Sequence, residues 1–325
     1  MKIALMGDVM LGRMVNEFLE GMPPAYPWGD AAPILKQADL RICNLECVLA
    51  DQGKPWSSKT FYFRSDSKNA AVFKEGEIDL VSLANNHSLD FGYYALENML
   101  DNLDRAGVGH AGAGMDSDKA MKPVFKEAGG LKIGFISFTD NEPTWEAGKG
   151  LPGTFYVPID LQDRRAAQLI ELIKEAKSDS DIVIVSAHWG PNWGYHPEPK
   201  HIPFAHALID AGADIIFGHS AHVFQGIEIY KGKPIFYSAG DFVDDYVIDE
   251  IERNDESFVF TVEIEAREIK KIKLYPVVIR DFQAVIASPV EAEEITKKMQ
   301  VLCEEFKVAT YWDSAQGYIE IFVQS

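Results

Sequence analysis

The chain has 325 residues, 47% of them hydrophobic, which is ample for a packed core in one large or two small domains and excludes general disorder. Its formal charge of −19 argues against a nucleic-acid binder, because phosphate-backbone affinity rests on clustered Lys and Arg and no basic stripe is present. Three cysteines, Cys43, Cys47 and Cys303, are odd in number and lack zinc-knuckle spacing, so they read as small packing residues. No apolar run has the length of a membrane span and no signal-peptide pattern precedes the first strand, so a soluble cytoplasmic chain without direct membrane insertion is expected.

In chain order, residues 2–6 read as a buried strand, 13–19 as a helix, and 40–44 and 79–83 as further buried strands. Residues 93–105 carry Leu96, Met99, Leu100 and Leu103 at helical spacing and stop at Gly107. Residues 124–126 and 132–138 flank Gly129-Gly130, a hairpin signal. A second β-α stretch follows: a helix over 161–177, a β-branched strand over 181–187, a helix over 202–211 and a strand over 214–217. Then hairpins take over, pairing 226–230 with 234–238 and 257–265 with 268–275, before a helix over 289–306 and a last strand over 318–323. The alternation predicts an α/β fold, a two-sheet sandwich with helices on its outer faces. Without a low-complexity linker, residues 1–325 are expected to form a single domain, with 285–325 as a C-terminal elaboration.

The chemistry-bearing residues fall at or near the predicted C-terminal strand ends, where open α/β sheets bind ligands. Asp8 and Glu46 offer carboxylates, Asn86 a carbonyl oxygen, and His188, His219 and His222 neutral imidazoles, a mixture suited to a pair of divalent metals. His87, beside a ligand yet free itself, could protonate a leaving group. Each residue alone has an ordinary reading: Asp8 as a helix cap, His188 as a satisfied polar group, His219-x-x-His222 as chance spacing, Asn85-Asn86-His87 as turn chemistry. Their joint placement carries the argument. His110 and His196 lack that placement, and His201 and His206, on an amphipathic helix, read as surface residues. The aromatic loop with Trp189, Trp193 and Tyr195 either lines the cleft or packs.

The strings Gly7-Asp8-Val9-Met10-Leu11-Gly12-Arg13, Asn44-Leu45-Glu46, residues 84–92 around Asn85-Asn86-His87, His188-Trp189-Gly190, residues 210–214, Gly218-His219 to Val223, and Tyr237-Ser238-Ala239-Gly240-Asp241-Phe242 together resemble the CapA family of poly-γ-glutamate capsule biosynthesis proteins, relatives of calcineurin-like metallophosphatases. The similarity spans roughly residues 2 to 245. It implies a four-layer α/β/β/α sandwich of the metallophosphatase type holding two divalent ions (Mn, Zn or Fe). By the same analogy Asp8 binds one metal, Glu46 bridges, Asn86 and His188 bind the second, and His219 and His222 are shared. His87 and Asp8 are then the catalytic residues, with Arg13, Asn44, Asn85, Trp189 and Asp241 on the substrate side. This chain departs from the pattern in having Met10 where metallophosphatases place an imidazole, Ser220-Ala221 between its two loop histidines, Asn192 where Glu is usual, and Asp241 where CapA members usually carry Asn. Met10 leads to the expectation that one of the two metals is held weakly.

Three functions follow as expectations: metal-dependent hydrolysis of a phosphoester or related polar substrate; a factor for synthesis or export of poly-γ-glutamate that binds polymer; and a metal-independent peptide epimerase of the lasso-peptide type, in which the same residues act as acid and base. The substrate is accordingly a small molecule, a peptide or polyglutamate.

Overall fold

The computed structural model describes residues 1–57 and 59–323. The elements that position the site are, in chain order, β1 (Lys2–Val9), α1 (Arg13–Phe18), β2 (Leu40–Leu45), β3 (Leu80–Ser82), α2 (Gly92–Ala106), β4 (Gly109–Ala111), β5 (Val124–Ala128), β6 (Leu131–Thr139), α3 (Arg164–Asp179), β7 (Ile182–His188), α4 (His201–Ala211), β8 (Ile215–His219), β9 (Ile227–Tyr230), β10 (Lys233–Phe236), β11 (Asp241–Val243), β12 (Glu256–Glu265), β13 (Glu268–Arg280), β14 (Gln283–Ile286), α5 (Pro289–Glu304), β15 (Tyr311–Asp313) and β16 (Tyr318–Phe322).

Two large sheets result. The first runs β15-β16-β13-β12-β1-β2-β3-β4, with β11 attached to β1 and β14 to β13; the second runs β9-β10-β8-β7-β6-β5. Side chains alternate between strand faces, so each strand feeds two layers. From the first sheet Ile3, Leu5 and Ile42 point inward to meet Phe135, Ile184 and Phe217 of the second. Ala4, Met6, Cys43 and Val81 point outward, where Val15, Leu96, Met99 and Leu103 cover them. On the far side Ile136, Val183, Val185 and Ile216 are covered by Leu169, Ile173, Phe204 and Leu208. The fold is a four-layer α/β/β/α sandwich. The three cysteines are free and buried within these layers.

Local chemistry sets the element ends. Gly107 closes α2 at φ 76, donating its N–H to Asp104 and Leu103 carbonyls, a left-handed conformation that suits glycine. The expected start of α3 at residue 161 moves to Arg164, because the Asp163 carboxylate accepts from the Arg165 N–H and caps the helix there. Ser288 and Glu291 form a capping box at the head of α5.

Strand register matters most for the site. β1 does not end at Met6: with an irregularity between Met6 and Asp8 it continues to Val9, parallel to β2 throughout. Along residues 2–5 it also pairs with the antiparallel β12, and then with the parallel β11, in the register Asp8 to Asp241. In the second sheet β7 and β8 run parallel with His188 opposite His219. Among the described residues no helix is long and apolar enough to cross a membrane.

Candidate metal centre

Both sheets deliver polar residues to one edge, the C-terminal end of their parallel strands. β1 contributes Asp8, β2 ends at Asn44-Leu45 with Glu46 next, Asn85-Asn86-His87 follow β3, β7 ends at His188, β8 at His219, and β11 starts at Asp241. Asp8, Asn44, Glu46, His188, His219 and Asp241 are all at most 1% exposed.

Their donor atoms gather into two groups that share Asp8. Asp8, His188 and His219 offer atoms all within 4.8 Å of one another, and so do Asp8, Glu46, His222 and Asp241. The resemblance gave the bridge to Glu46; this geometry puts Asp8 in both groups and Glu46 in one. His188 Nδ1 and His219 Nδ1 lie 2.8 Å apart. Two imidazole nitrogens that close must share a proton or aim both lone pairs at one cation. The Ser186 hydroxyl, 2.7 Å from His219 Nε2, gives that ring an outer partner of the kind that orients metal-binding histidines. Asn44 donates to Asp8 Oδ1 at 2.8 Å and the Ser220 amide approaches Asp8 Oδ2 at 3.4 Å. Ser220 and His222 hold φ of 109 and 56, strained values for side-chain-bearing residues that cost about 1–3 kcal/mol each. That strain turns the loop back over Asp8 and Asp241.

The electrostatics ask for a cation. Burial, against which the nearby His222 works, raises the Asp8 carboxyl; burial and the Asp8 charge push Glu46 and Asp241 well above the usual carboxylate range. Burial depresses the imidazoles, His219 to about 3 and His188 well below its usual value, the latter with help from neighbouring histidines. Carboxylates that resist ionising beside imidazoles that resist protonation form a set that bound dications would satisfy together. Among the described residues, buried Glu46 Oε1 and Oε2, Asn86 Oδ1, His188 Nε2 and Asp241 Oδ2 have no hydrogen-bond partner, which otherwise costs about 1–3 kcal/mol per group. The residues present therefore fit divalent metal ions: Glu46, Asp241 and the His222 imidazole on one side of Asp8, two imidazoles on the other.

The remaining candidates divide. His87 Nδ1 sits 2.6 Å from Asp90 Oδ2 and its Nε2 faces Glu46 Oε1 at 3.9 Å, while its ring stacks on Phe63 at 3.9 Å. Arg13 lies over the same Phe63 ring at 5.6 Å and 3.2 Å from Asp245, with its side chain 39% exposed. Asn44 and Asn85, expected on the substrate side, are wholly buried. Asn44 holds Asp8, and Asn85 spends both ends of its amide internally, donating to Asn44 Oδ1 and the Leu45 carbonyl and accepting from the His87 amide. Trp189 is also corrected: it is 3% exposed, stacks on His201 at 4.9 Å and donates to the Tyr237 carbonyl, so it packs. His201, expected on the surface, is 2% exposed beneath it. Tyr195 packs on Phe224, whereas Trp193 is exposed and stands 5.7 Å from His222. Asp241 leaves the substrate side and joins the donor cluster.

Four neighbours escaped the sequence reading. Asp90 orients His87 and was legible in principle, three residues on within the same string. Lys59 reaches Asp90 at 2.6 Å from a distant loop, and Tyr246 caps His222 edge-on at 5.1 Å. Asp244 is buried with an unpartnered oxygen. Nothing in local sequence marks those three as site residues.

A four-layer sandwich with polar donors gathered at the strand ends is a metallophosphatase-like fold. A solved phosphatase of Mycoplasma pneumoniae shares the fold at TM-score 0.52 and 16% identity, covering 86% of this chain and 93% of that one. A hypothetical protein of Thermus thermophilus does so at 0.51 and 17%, covering 85% and 98%. Residues 2–246 match the model of the bacterial capsule synthesis protein PGA_cap, and the chain belongs to that family. Among its relatives are a "probable polyglutamine synthesis accessory protein" of Mycobacterium tuberculosis, 33% identical over 282 residues (75% of this chain, 74% of that protein), and the PGA biosynthesis protein CapA of Bacillus subtilis, 31% identical over 245 residues (74% and 63%).

Proposed function

We propose that the chain is a metal-dependent hydrolase acting on a phosphoester or a related anionic polar substrate. The observation that carries this reading is the pair of buried donor groups joined through Asp8, with unpartnered lone pairs converging beside a histidine that has its own carboxylate. Two divalent ions there would supply Lewis acidity and a hydroxide nucleophile near neutral pH. Asp8, Glu46, Asp241 and His222 would hold one, and Asp8, His188, His219 and Asn86 the other. Arg13 presents its guanidinium to the anionic group of the substrate. Asp90 anchors His87 through Nδ1 and leaves Nε2 toward the cleft. Burial, partly opposed by Asp90, pushes His87 down to about 4, so in the free chain the ring is neutral. His87 then works as a relay, taking at Nε2 the proton released by the attacking water and passing it to the leaving oxygen.

The test is chelation followed by Mn²⁺ or Zn²⁺ on a panel of phosphoesters, together with His87→Asn. Activity should vanish and return. The substitution should cost about 10²–10⁴ on a poor leaving group and far less on an activated aryl ester. Equal losses on both esters would remove the relay role. Chelator-resistant uptake of solvent deuterium at a peptide Cα, with no ester cleaved, would replace the hydrolase by an epimerase.

A second reading is favoured by the relatives, two of which are named for polyglutamine or PGA synthesis. In it the same site serves poly-γ-glutamate production by engaging the polymer. Saturable binding of poly-γ-glutamate that Arg13→Ala weakens, without any cleavage product, would favour it over hydrolysis.

A further inference from the structure

Asp8 and Asp241 are paired neighbours on adjacent parallel strands. Residues paired across a ladder project their side chains to the same face, so the backbone itself sets two carboxylates side by side. Both are at most 1% exposed, and Glu46 is wholly buried beside them. No Lys or Arg pairs with any of the three within ion-pair distance among the described residues. Three buried carboxylates without a cationic side chain form an arrangement that a protein does not keep for stability. Asp241 Oδ1 lies 2.9 Å from His222 Nδ1, while among the described residues its Oδ2 and both Glu46 oxygens have other buried carboxyls, Asp244 and Asp8, beside them and no N–H or hydroxyl donor in hydrogen-bond reach. Ligand atoms about 2.1 Å from one cation and at right angles are roughly 3 Å apart, which is the spacing of Asp241 and His222.

We propose that Asp241 is a direct metal ligand, and that with Asp8, Glu46 and His222 it makes an oxygen-rich position that accepts a hard dication such as Mn²⁺ more readily, relative to Zn²⁺, than does the imidazole-rich Asp8–His188–His219 position, which holds Zn²⁺. Carboxylates suit Mn²⁺ and Mg²⁺, whereas imidazole suits Zn²⁺. The two positions therefore differ in metal preference, and the carboxylate of Asp241 creates the difference. The inference rests on the metal-binding part of the reading above but not on hydrolysis, and metal content decides it whatever the activity.

The alternative is that Asp241 only orients His222 through the hydrogen bond. Asp241→Asn separates the two roles, because the amide oxygen still accepts from His222 Nδ1 while the charge is lost. Apo protein is titrated with Mn²⁺, with Zn²⁺, and with a mixture in which Mn²⁺ is in large excess over Zn²⁺, because Zn²⁺ binds most sites more tightly at equal concentration, and bound metal per chain is counted by mass spectrometry after dialysis. The wild-type chain should retain one Mn²⁺ and one Zn²⁺ from the mixture. In Asp241→Asn the Mn²⁺ affinity should fall more than about 100-fold, beyond the usual cost of replacing an outer partner, with Zn²⁺ at the other position unchanged. A smaller loss returns Asp241 to orienting His222 and overturns the proposal. Two Zn²⁺ per wild-type chain from the mixture would overturn it too, and that arm holds even if the variant does not fold. Circular dichroism of the apo forms checks folding; removing a carboxylate packed against Asp8 should leave the apo variant at least as stable as the wild type.

Discussion

Trp189 and His201 stack nearly parallel, 12° between ring planes, directly behind the His188 donor. His201 accepts the Glu198 amide at Nδ1, and its buried Nε2 has no hydrogen-bond partner among the described residues, the Glu198 carboxylate standing 3.9 Å off. Burial depresses it from 6.5 to about 4. Because the folded chain binds this proton less readily than the unfolded chain, stability is fully present above about pH 6.5 and is lost as pH falls toward 4, by up to about 3 kcal/mol. His201→Gln keeps an acceptor and removes the titration, so its melting temperature should fall less than that of the wild type between pH 6.5 and 4.5. Parallel melting curves across that range check it, and identical slopes would acquit His201. Trp189→Ala, which empties a packed site, should cost about 3–5 kcal/mol while bound metal per chain is unchanged. Metal lost in step with stability would put Trp189 in the centre after all. At this scale the sequence singled out residues that the structure brings together, since Asp8, Glu46, His188, His219 and His222 stand in short strings at strand ends. It misplaced Trp189, His201 and Asn85, because a residue type does not say whether a polar or aromatic side chain turns toward the cleft or spends itself on a neighbour.

Strand β11 is three residues long, yet it brings Asp241 to Asp8. Its approach depends on Gly7, where a Cβ would lie 1.8 Å from the Gly240 carbonyl oxygen, and the Asp8 amide donates to that same oxygen at 2.9 Å. No side chain fits there without separating the two backbones. Gly7→Ala should therefore lower the melting temperature and, at temperatures where the chain is still folded, weaken Mn²⁺ retention more than Zn²⁺ retention, because Asp241 moves away from Asp8. Equal weakening of both ions would place the distortion in the whole edge rather than at β11. The long elements were readable from periodicity: α2, with its stop at Gly107, and the hairpins β5–β6, β9–β10 and β12–β13 lie where the pattern put them, within a few residues. β11 was not readable, and neither was the extension of β1 through Asp8. A three-residue strand has no period to detect, and its partner is more than two hundred residues away in sequence.

The four layers close only with chain beyond the family match, which ends at residue 246. β12 pairs with β1, β13 with β12, and β16 with β13, so the central sheet continues through the C-terminal region. α5 packs on β13 and β9 and contributes Ile295, Met299 and Leu302 to the layer between the sheets, where Ile319 and Ile321 of β16 also lie. The expected elaboration over 285–325 is thus part of the core in packing terms, although composition alone gave no reason to distinguish it from an appendage. A chain truncated after Ala287 would expose the inner faces of β13 and β9, including Ile272, Leu274 and Ile227, which are all fully buried in the whole protein. Each such side chain returned to water costs about 1.5–3 kcal/mol, and a handful of them equals the net stability of an ordinary domain. The truncated protein should lose cooperative melting and bind no metal, even though every donor residue is still present. Calorimetry and metal counting on the two lengths of chain decide the matter: a cooperative transition with both ions retained in the shorter one would show the metal centre to be self-sufficient within residues 1–287.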